Sequence, residues 1–221
     1  MVESDRNYKL KPDEILRIYE SIKPAIDERL SSFRRIWDGG CIEIFQELIF
    51  CLLTPGSKAK MAWVACEKLS ENGLLFSGDE DEISNSIRWV RFKNNKAKNI
   101  VLARKRFIKD GGCVLKSELV RFGSVFEKRR WLVNEVRGFG FKEASHFLRN
   151  IGFFEEIAIL DRHILRGMLE IGLISDIPKS LTPSRYLRLE KLLSDYAKEI
   201  NIPLSALDFV LWYRKAGEIF K

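Results

Sequence analysis

Between Cys41 and Gly56 the chain reads CIEIFQELIFCLLTPG, and Ile42, Phe45, Leu48, Ile49, Leu52 and Leu53 fall on one broad face at helical spacing. Thr54-Pro55-Gly56 then stops the segment, because proline removes a backbone donor and glycine lets the chain turn sharply. The same grammar recurs along the sequence: an apolar stripe of period 3.6, a Pro, Gly or polar break, and another stripe. Pro12-Asp13 opens one helix to about Ser21, and Pro24 opens a second. Ser57 is placed to cap a helix over KAKMAWVACEKLS. A short helix is expected near 80–89, then a basic one over 94–109 that ends at Gly111-Gly112. Further helices follow over about 124–137, 142–150, 161–171, 183–200 and 205–217. EEIAILD, at 155–161, has a strand-like run, but no second strand pairs with it convincingly. Neither a βαβ unit nor a long repeat is visible. The fold class is all-α.

Charge narrows the partner. Thirty-eight Lys and Arg against thirty-one Asp and Glu give a net +7 and a sequence pI of about 9.2, a balance that favours a polyanion. The excess is concentrated: residues 88–109 hold nine cations (88, 91, 93, 96, 98, 104, 105, 106 and 109) and no acid. Such a stretch reads as a solvated helix face, a phosphate-contacting face or a partner surface. Trp89 and Phe92 within it read as core. The cysteines at 41, 51, 66 and 113 form no C-x-x-C pair and are expected to be buried free thiols of an intracellular protein. With two histidines, 146 and 163, both read as structural, no metal site is expected. The opening MVESDRNYKLKPDE has no apolar run of a signal peptide, and the apolar stretch near 48–53 is too short for a bilayer, so no membrane partner is expected.

The sharpest local signal is VRGFGFKEASHFLRN, residues 136–150. Gly138 and Gly140 flank Phe139, and the glycines allow a tight hairpin whose backbone can touch another backbone. Free N–H groups at the start of the following helix can hold a phosphate without reading a base. A plain αα-turn with glycine caps is the alternative. Lys142 falls in the first helical turn, where the dipole disfavours an ammonium but favours a neutral amine. Asp161 follows nineteen residues later, at an N-cap position after the apolar run IAIL.

Together the hairpin, the lysine, this spacing and LDRHILR resemble the helix-hairpin-helix DNA glycosylases, in their bifunctional glycosylase/lyase branch. The resemblance is most specific over 132–171, and FQELIFCLLTPGSKAK is more loosely similar to the helix and wedge loop of that superfamily. RFKNNKAKNI and a C-terminal helix with Trp212, ending at Lys221, resemble the compact type-2 8-oxoguanine DNA glycosylases of archaea and some bacteria. Gly56 stands where such relatives often carry a side chain that fills the gap left by a flipped base, so Ser57, Lys58 or a neighbouring loop is expected to serve instead.

The resemblance implies two helical lobes with a DNA cleft between them. One spans 41–134; the other joins 1–40 with 135–221 and carries the helix-hairpin-helix, about 124–150, and the catalytic aspartate. It implies excision of 8-oxoguanine from duplex DNA followed by strand cleavage at the abasic site. The base leaves the stack at a cost of a few kcal/mol. The Lys142 amine attacks C1′, forms a Schiff base and permits β-elimination, while ionised Asp161 stabilises developing sugar charge. Gly138, Phe139, Gly140, Ser57 and Lys58 are the expected DNA contacts. Trp212 and Lys221 are the expected base-pocket residues, the latter through a terminal carboxylate facing the N7–H that distinguishes 8-oxoguanine from guanine. No cofactor is expected, with a monovalent cation in the hairpin as an open alternative. The partner is double-stranded DNA with damaged guanine or abasic sites, and a cytoplasmic, nucleoid-associated monomer is expected. Two alternatives stay open: the same scaffold acting on another damaged base, and a non-catalytic DNA-binding module.

Overall fold

The computed structural model describes residues 10–110 and 112–221. The described residues form α1 (Pro12–Asp38), α2 (Cys41–Leu53), α3 (Ala59–Glu71), α4 (Glu80–Ser86), α5 (Lys93–Phe107), α6 (Leu115–Val120), α7 (Val125–Glu135), α8 (Phe141–Asn150), α9 (Arg162–Glu170), α10 (Pro183–Glu199) and α11 (Leu204–Ala216). One antiparallel pair, β1 (Ile108–Lys109) with β2 (Gly112–Cys113), is the sheet found among them. The fold is all-α.

Two compact units arise: residues up to Leu30 with Phe154–Ile219, and Ser31–Phe153 with Phe220–Lys221. These bounds differ from those drawn on the sequence at 40/41 and 134/135. The first falls inside α1, and the α7–α8 hairpin belongs to the unit of α2 because α8 packs on α2.

In that unit α2 is the central element, packed against α3, α5, α6 and α8. Its residues from Ile44 to Leu53 are buried apart from Gln46, as a helix that is apolar nearly all round requires, while Ile42 at its start is exposed. In the other unit α11 packs on α9 and α10. A Cβ on Gly167 would stand 3.1 Å from Leu211, so glycine permits the close α9–α11 approach.

Four sequence expectations change. Pro24 does not open a second helix; it lies inside the unbroken α1. Ile15, Ile22, Ile26 and Phe33 are all buried and form one stripe at spacings of 7, 4 and 7, and this common face outweighs the local cost of proline, roughly 3 kcal/mol. Cys41 and Cys113 are not free thiols: they form a disulfide with Cα atoms 5.7 Å apart, leaving Cys51 and Cys66 free and buried. The β1–β2 pair, which puts Cys113 beside the start of α2, is too short to show in a periodicity, and Gly111 lies outside the described residues. Ser57 does not cap α3, whose N-cap residue is Lys58, without a side-chain cap bond.

The run Ile157–Leu160 is irregular and pairs with no strand among the described residues. Side chains of α10 take the partner's place. The Tyr186 hydroxyl donates to Ala158 O at 2.7 Å and accepts from Leu160 N at 3.2 Å, and Glu190 accepts from Ala158 N at 2.9 Å.

Candidate active site

The α7–α8 hairpin is built for a tight reversal. Ser124 and Glu127 close a capping box at the start of α7, and Phe139 N bonds Val136 O at 3.0 Å after its end. Gly138 has φ +97°, and a Cβ there would lie 2.4 Å from Asn99 Nδ2 and 3.3 Å from Leu52, so the turn requires glycine on both conformational and steric grounds. Gly140 is the N-cap of α8, and its N–H donates to Glu143 Oε2 at 3.2 Å. The Phe139 side chain is buried and faces Phe147, so any contact it makes with a ligand would be through its main chain.

Lys142 is the second residue of α8 and only partly buried. Its Nζ lies 3.5 Å from Thr54 Oγ1 and 3.9 Å from Glu143 Oε1. Thr54 in turn is buried, its hydroxyl donating to Cys51 O at 2.9 Å. The end of α2 therefore presents a fixed oxygen to a lysine in the first turn of α8. The loop continues through Gly56, at φ +69°, where a Cβ would stand 3.2 Å from the Phe92 ring and 3.3 Å from Arg91. Ser57 accepts a hydrogen bond from Lys96 at 3.1 Å, and Lys58 is exposed.

Phe92 and Trp89 are not core residues. They are 56% and 43% exposed, and Phe92 takes a left-handed φ of 60° at the N-cap of α5. Their basic stretch divides its tasks: Arg88, Arg91, Lys98, Lys105 and Lys109 are exposed, Lys96 is buried, and Arg106 pairs with Glu135 at 2.8 Å.

A second cluster surrounds Lys221. Its Nζ pairs with Glu47, which is 3% exposed, and lies 3.4 Å from the centroid of the Trp63 ring, with Phe50 behind it. Asn150 Nδ2 donates to the other Glu47 oxygen at 3.0 Å. His146 is buried against Phe50, with the Lys221 main chain nearby but neither ring nitrogen in a well-formed hydrogen bond. Burial first, and then the cations Lys142 and Arg149, hold its pKa well below the usual histidine range, so it is a neutral imidazole at pH 7. Cys51 and Cys66 are buried thiols whose ionisation is pushed up by burial, which makes them inert as nucleophiles.

Asp161 and Trp212 belong to the other unit. Asp161 caps α9, with Oδ1 accepting from His163 N at 2.8 Å and Ile164 N at 2.9 Å. Its second oxygen meets no donor among the described residues, so the cap occupies only half of the carboxylate. Trp212 is half-buried on α11 and meets the His163 ring edge-on at 6.5 Å.

The family described as 8-oxoguanine DNA glycosylase matches residues 26–202. An 8-oxoguanine DNA glycosylase/AP lyase of Fusobacterium nucleatum is 45% identical over 210 residues, covering 95% of this chain and 97% of that protein. The chain belongs to the 8-oxoguanine DNA glycosylase family. The crystal structure of the Methanocaldococcus jannaschii 8-oxoguanine glycosylase/lyase in complex with a 15mer DNA containing 8-oxoguanine superposes with a TM-score of 0.86 at 33% identity, over 95% of this chain and 99% of that one. The 8-oxoguanine DNA glycosylase of Thermotoga maritima gives 0.83 at 35% identity, over 95% and 98%.

Glu47, Trp63 and Phe50 are the residues of the Lys221 cluster that sequence reasoning missed. Glu47 did carry a signal: a carboxylate amid the apolar positions of α2 is costly to bury unless a cation meets it. The cation, Lys221, lies 174 residues away, beyond any local pattern.

Proposed function

We propose that this chain is a bifunctional 8-oxoguanine DNA glycosylase/AP lyase in which Lys142 is the nucleophile. The observation that carries the assignment is the position of Lys142, in the first turn of α8 after the Gly138–Gly140 hairpin, with Thr54 Oγ1 3.5 Å from its amine. A neutral amine there attacks C1′ of the damaged nucleotide, and the C1′–N9 bonding pair leaves with the base, which takes up a proton. The nitrogen then gives up a proton as its lone pair expels the ring oxygen, so the C1′–O4′ bond breaks, O4′ takes up a proton and a Schiff base forms. The Schiff base lowers the barrier to loss of a C2′ proton, whose bonding pair becomes the C2′–C3′ double bond as the 3′ phosphate leaves with the C3′–O pair. Asp161 stabilises the sugar cation with the oxygen that the α9 cap leaves over, and Oδ1 keeps the carboxylate oriented. No step calls for an organic cofactor.

Duplex DNA is the partner of this reading, and a monomer suffices for it. The first-turn N–H groups of α8 and exposed Lys58 supply phosphate contacts. Gly56 has no side chain to fill the gap left by an extruded base. Phe92, exposed and beside it, is the aromatic placed to do so. Lys221, held by Glu47 and Trp63, supports a base pocket in its unit, and Trp212 offers a half-buried ring for stacking in the other.

The test is borohydride trapping on duplexes that each carry one damaged base or an abasic site. The protein should become covalently attached to the 8-oxoguanine and abasic duplexes, and Lys142→Gln should bind both but be trapped on neither. Trapping of Lys142→Gln at the parent rate removes Lys142 from the mechanism. Preference for a different lesion would keep the mechanism and change the substrate.

A further inference from the structure

Lys96 lies in the middle of the basic segment, yet it is 4% exposed and cannot serve as a phosphate contact. Its Nζ donates to Leu53 O at 2.7 Å, Pro55 O at 2.8 Å and Ser57 Oγ at 3.1 Å. An ammonium has three protons, and here all three converge on the stretch that ends α2 and turns into α3. Thr54, the residue whose hydroxyl faces Lys142, sits between two of those acceptors. One turn further along α5, Asn99 fills the space that the missing Cβ of Gly138 leaves open. A single face of α5 thus touches both the 53–57 loop and the hairpin that carries Lys142.

We propose that Lys96 is a positioning residue for the lyase and glycosylase chemistry: its ammonium clamps the 53–57 loop so that Thr54 meets the Lys142 amine, with Asn99 holding the hairpin from the same helix. This rests on Lys142 being the nucleophile. The clamp is strongest while Lys96 is protonated, because the neutral amine has one donor fewer and one of the three acceptors is released. Burial and then the nearby Lys142 cation lower its pKa to about 8. The surroundings offer no compensating acid. The end of α2 and the loop present two carbonyls and the Ser57 hydroxyl; at the start of α4, the N-cap Asp79 and Glu82 close a capping box on each other, and Ser84 bonds Asn94; α8 presents Lys142. The clamp therefore holds below about pH 8 and loosens above it.

Single-turnover trapping on an abasic duplex, run from pH 6 to 10 beside duplex affinity, tests this. The parent should show an alkaline decline near pH 8. Lys96→Arg, whose charge persists throughout, should move that decline upward by at least about one unit. Lys96→Met should lose at least about tenfold in trapping rate while its duplex affinity stays within about threefold, because a buried group bonded to loop carbonyls touches no phosphate. Equal alkaline limbs in the parent and Lys96→Arg overturn the proposal even if Lys96→Met fails to fold. So does a loss in Lys96→Met that appears wholly in affinity, or no loss at all. Trapping of Lys142→Gln would instead sink the nucleophile assignment and leave the clamp without an object.

Discussion

At the scale of single residues, two carboxylates of this molecule, Asp161 and Glu47, have opposite environments and opposite vulnerabilities. Asp161 gives one oxygen to its helix cap and keeps the other free of protein donors among the described residues. Asp161→Asn retains an accepting oxygen for the cap, so the melting point should move by no more than the equivalent of about 1 kcal/mol. Excision should fall by orders of magnitude, because the amide carries no charge to set against the sugar cation. A variant that melts earlier but turns over normally would show that Asp161 is a cap and nothing else. Glu47 is the reverse case, a buried carboxylate sealed by Lys221 and Asn150. Lys221→Ala leaves that buried carboxylate without its cation and should cost about 3–5 kcal/mol. It should also weaken 8-oxoguanine excision much more than cleavage at a preformed abasic site, which needs no base pocket. Adding Glu47→Gln to Lys221→Ala should recover most of the stability but not the base excision. Equal loss of both activities in Lys221→Ala would exclude a role for this residue in reading the base.

At the scale of elements, α1 carries a proline that its stripe of buried isoleucines overrules. Pro24 is exposed, removes one intrahelical hydrogen bond and crowds the preceding turn. Pro24→Ala should therefore raise the melting temperature, with about 1–3 kcal/mol gained after allowance for the freer unfolded chain. A lower melting point would mean that the proline shapes a bend the unit needs. The same helix shows what a sequence can and cannot say. α8, α9, α10 and α11 were readable to within a residue or two because Gly140, Asp161, Thr182 and Pro203 mark their starts. α1 was split in two because a proline is a local signal and a shared buried face is not. α6 and the β1–β2 pair were invisible, being six and two residues per element. Of the proposed site residues, Lys142 and Asp161 could be picked out in the sequence because each occupies a helix terminus with a named chemical consequence. The Lys221–Glu47 pair, the exposure of Phe92 and the burial of Lys96 depend on segments distant in sequence meeting in space, which no window of residues contains.

At the scale of the whole molecule, covalent and non-local ties set how the parts cohere. The Cys41–Cys113 bond closes 72 residues within one unit, a span whose loop entropy is worth about 4 kcal/mol. Reduction should lower the melting temperature by about 10 °C for a chain of this length, and Cys113→Ser should match the reduced parent. Identical melting with and without reductant would show that the bond contributes nothing. No helix among the described residues is long and apolar enough to cross a membrane. The irregular run before Asp161 has a different kind of tie. The amides of Ala158 and Leu160 are sealed by Glu190 and Tyr186, side chains from 26 to 32 residues further on. An amide sealed in this way opens when α10 undocks, so hydrogen exchange at Ala158 and Leu160 should keep pace with exchange along α10. During synthesis the consequence is one of timing: Asp161 leaves the ribosome 29 residues before Glu190 does. At about 5–20 residues per second, the aspartate waits a second or more, already made but not yet held in place, for the helix that gives it an address.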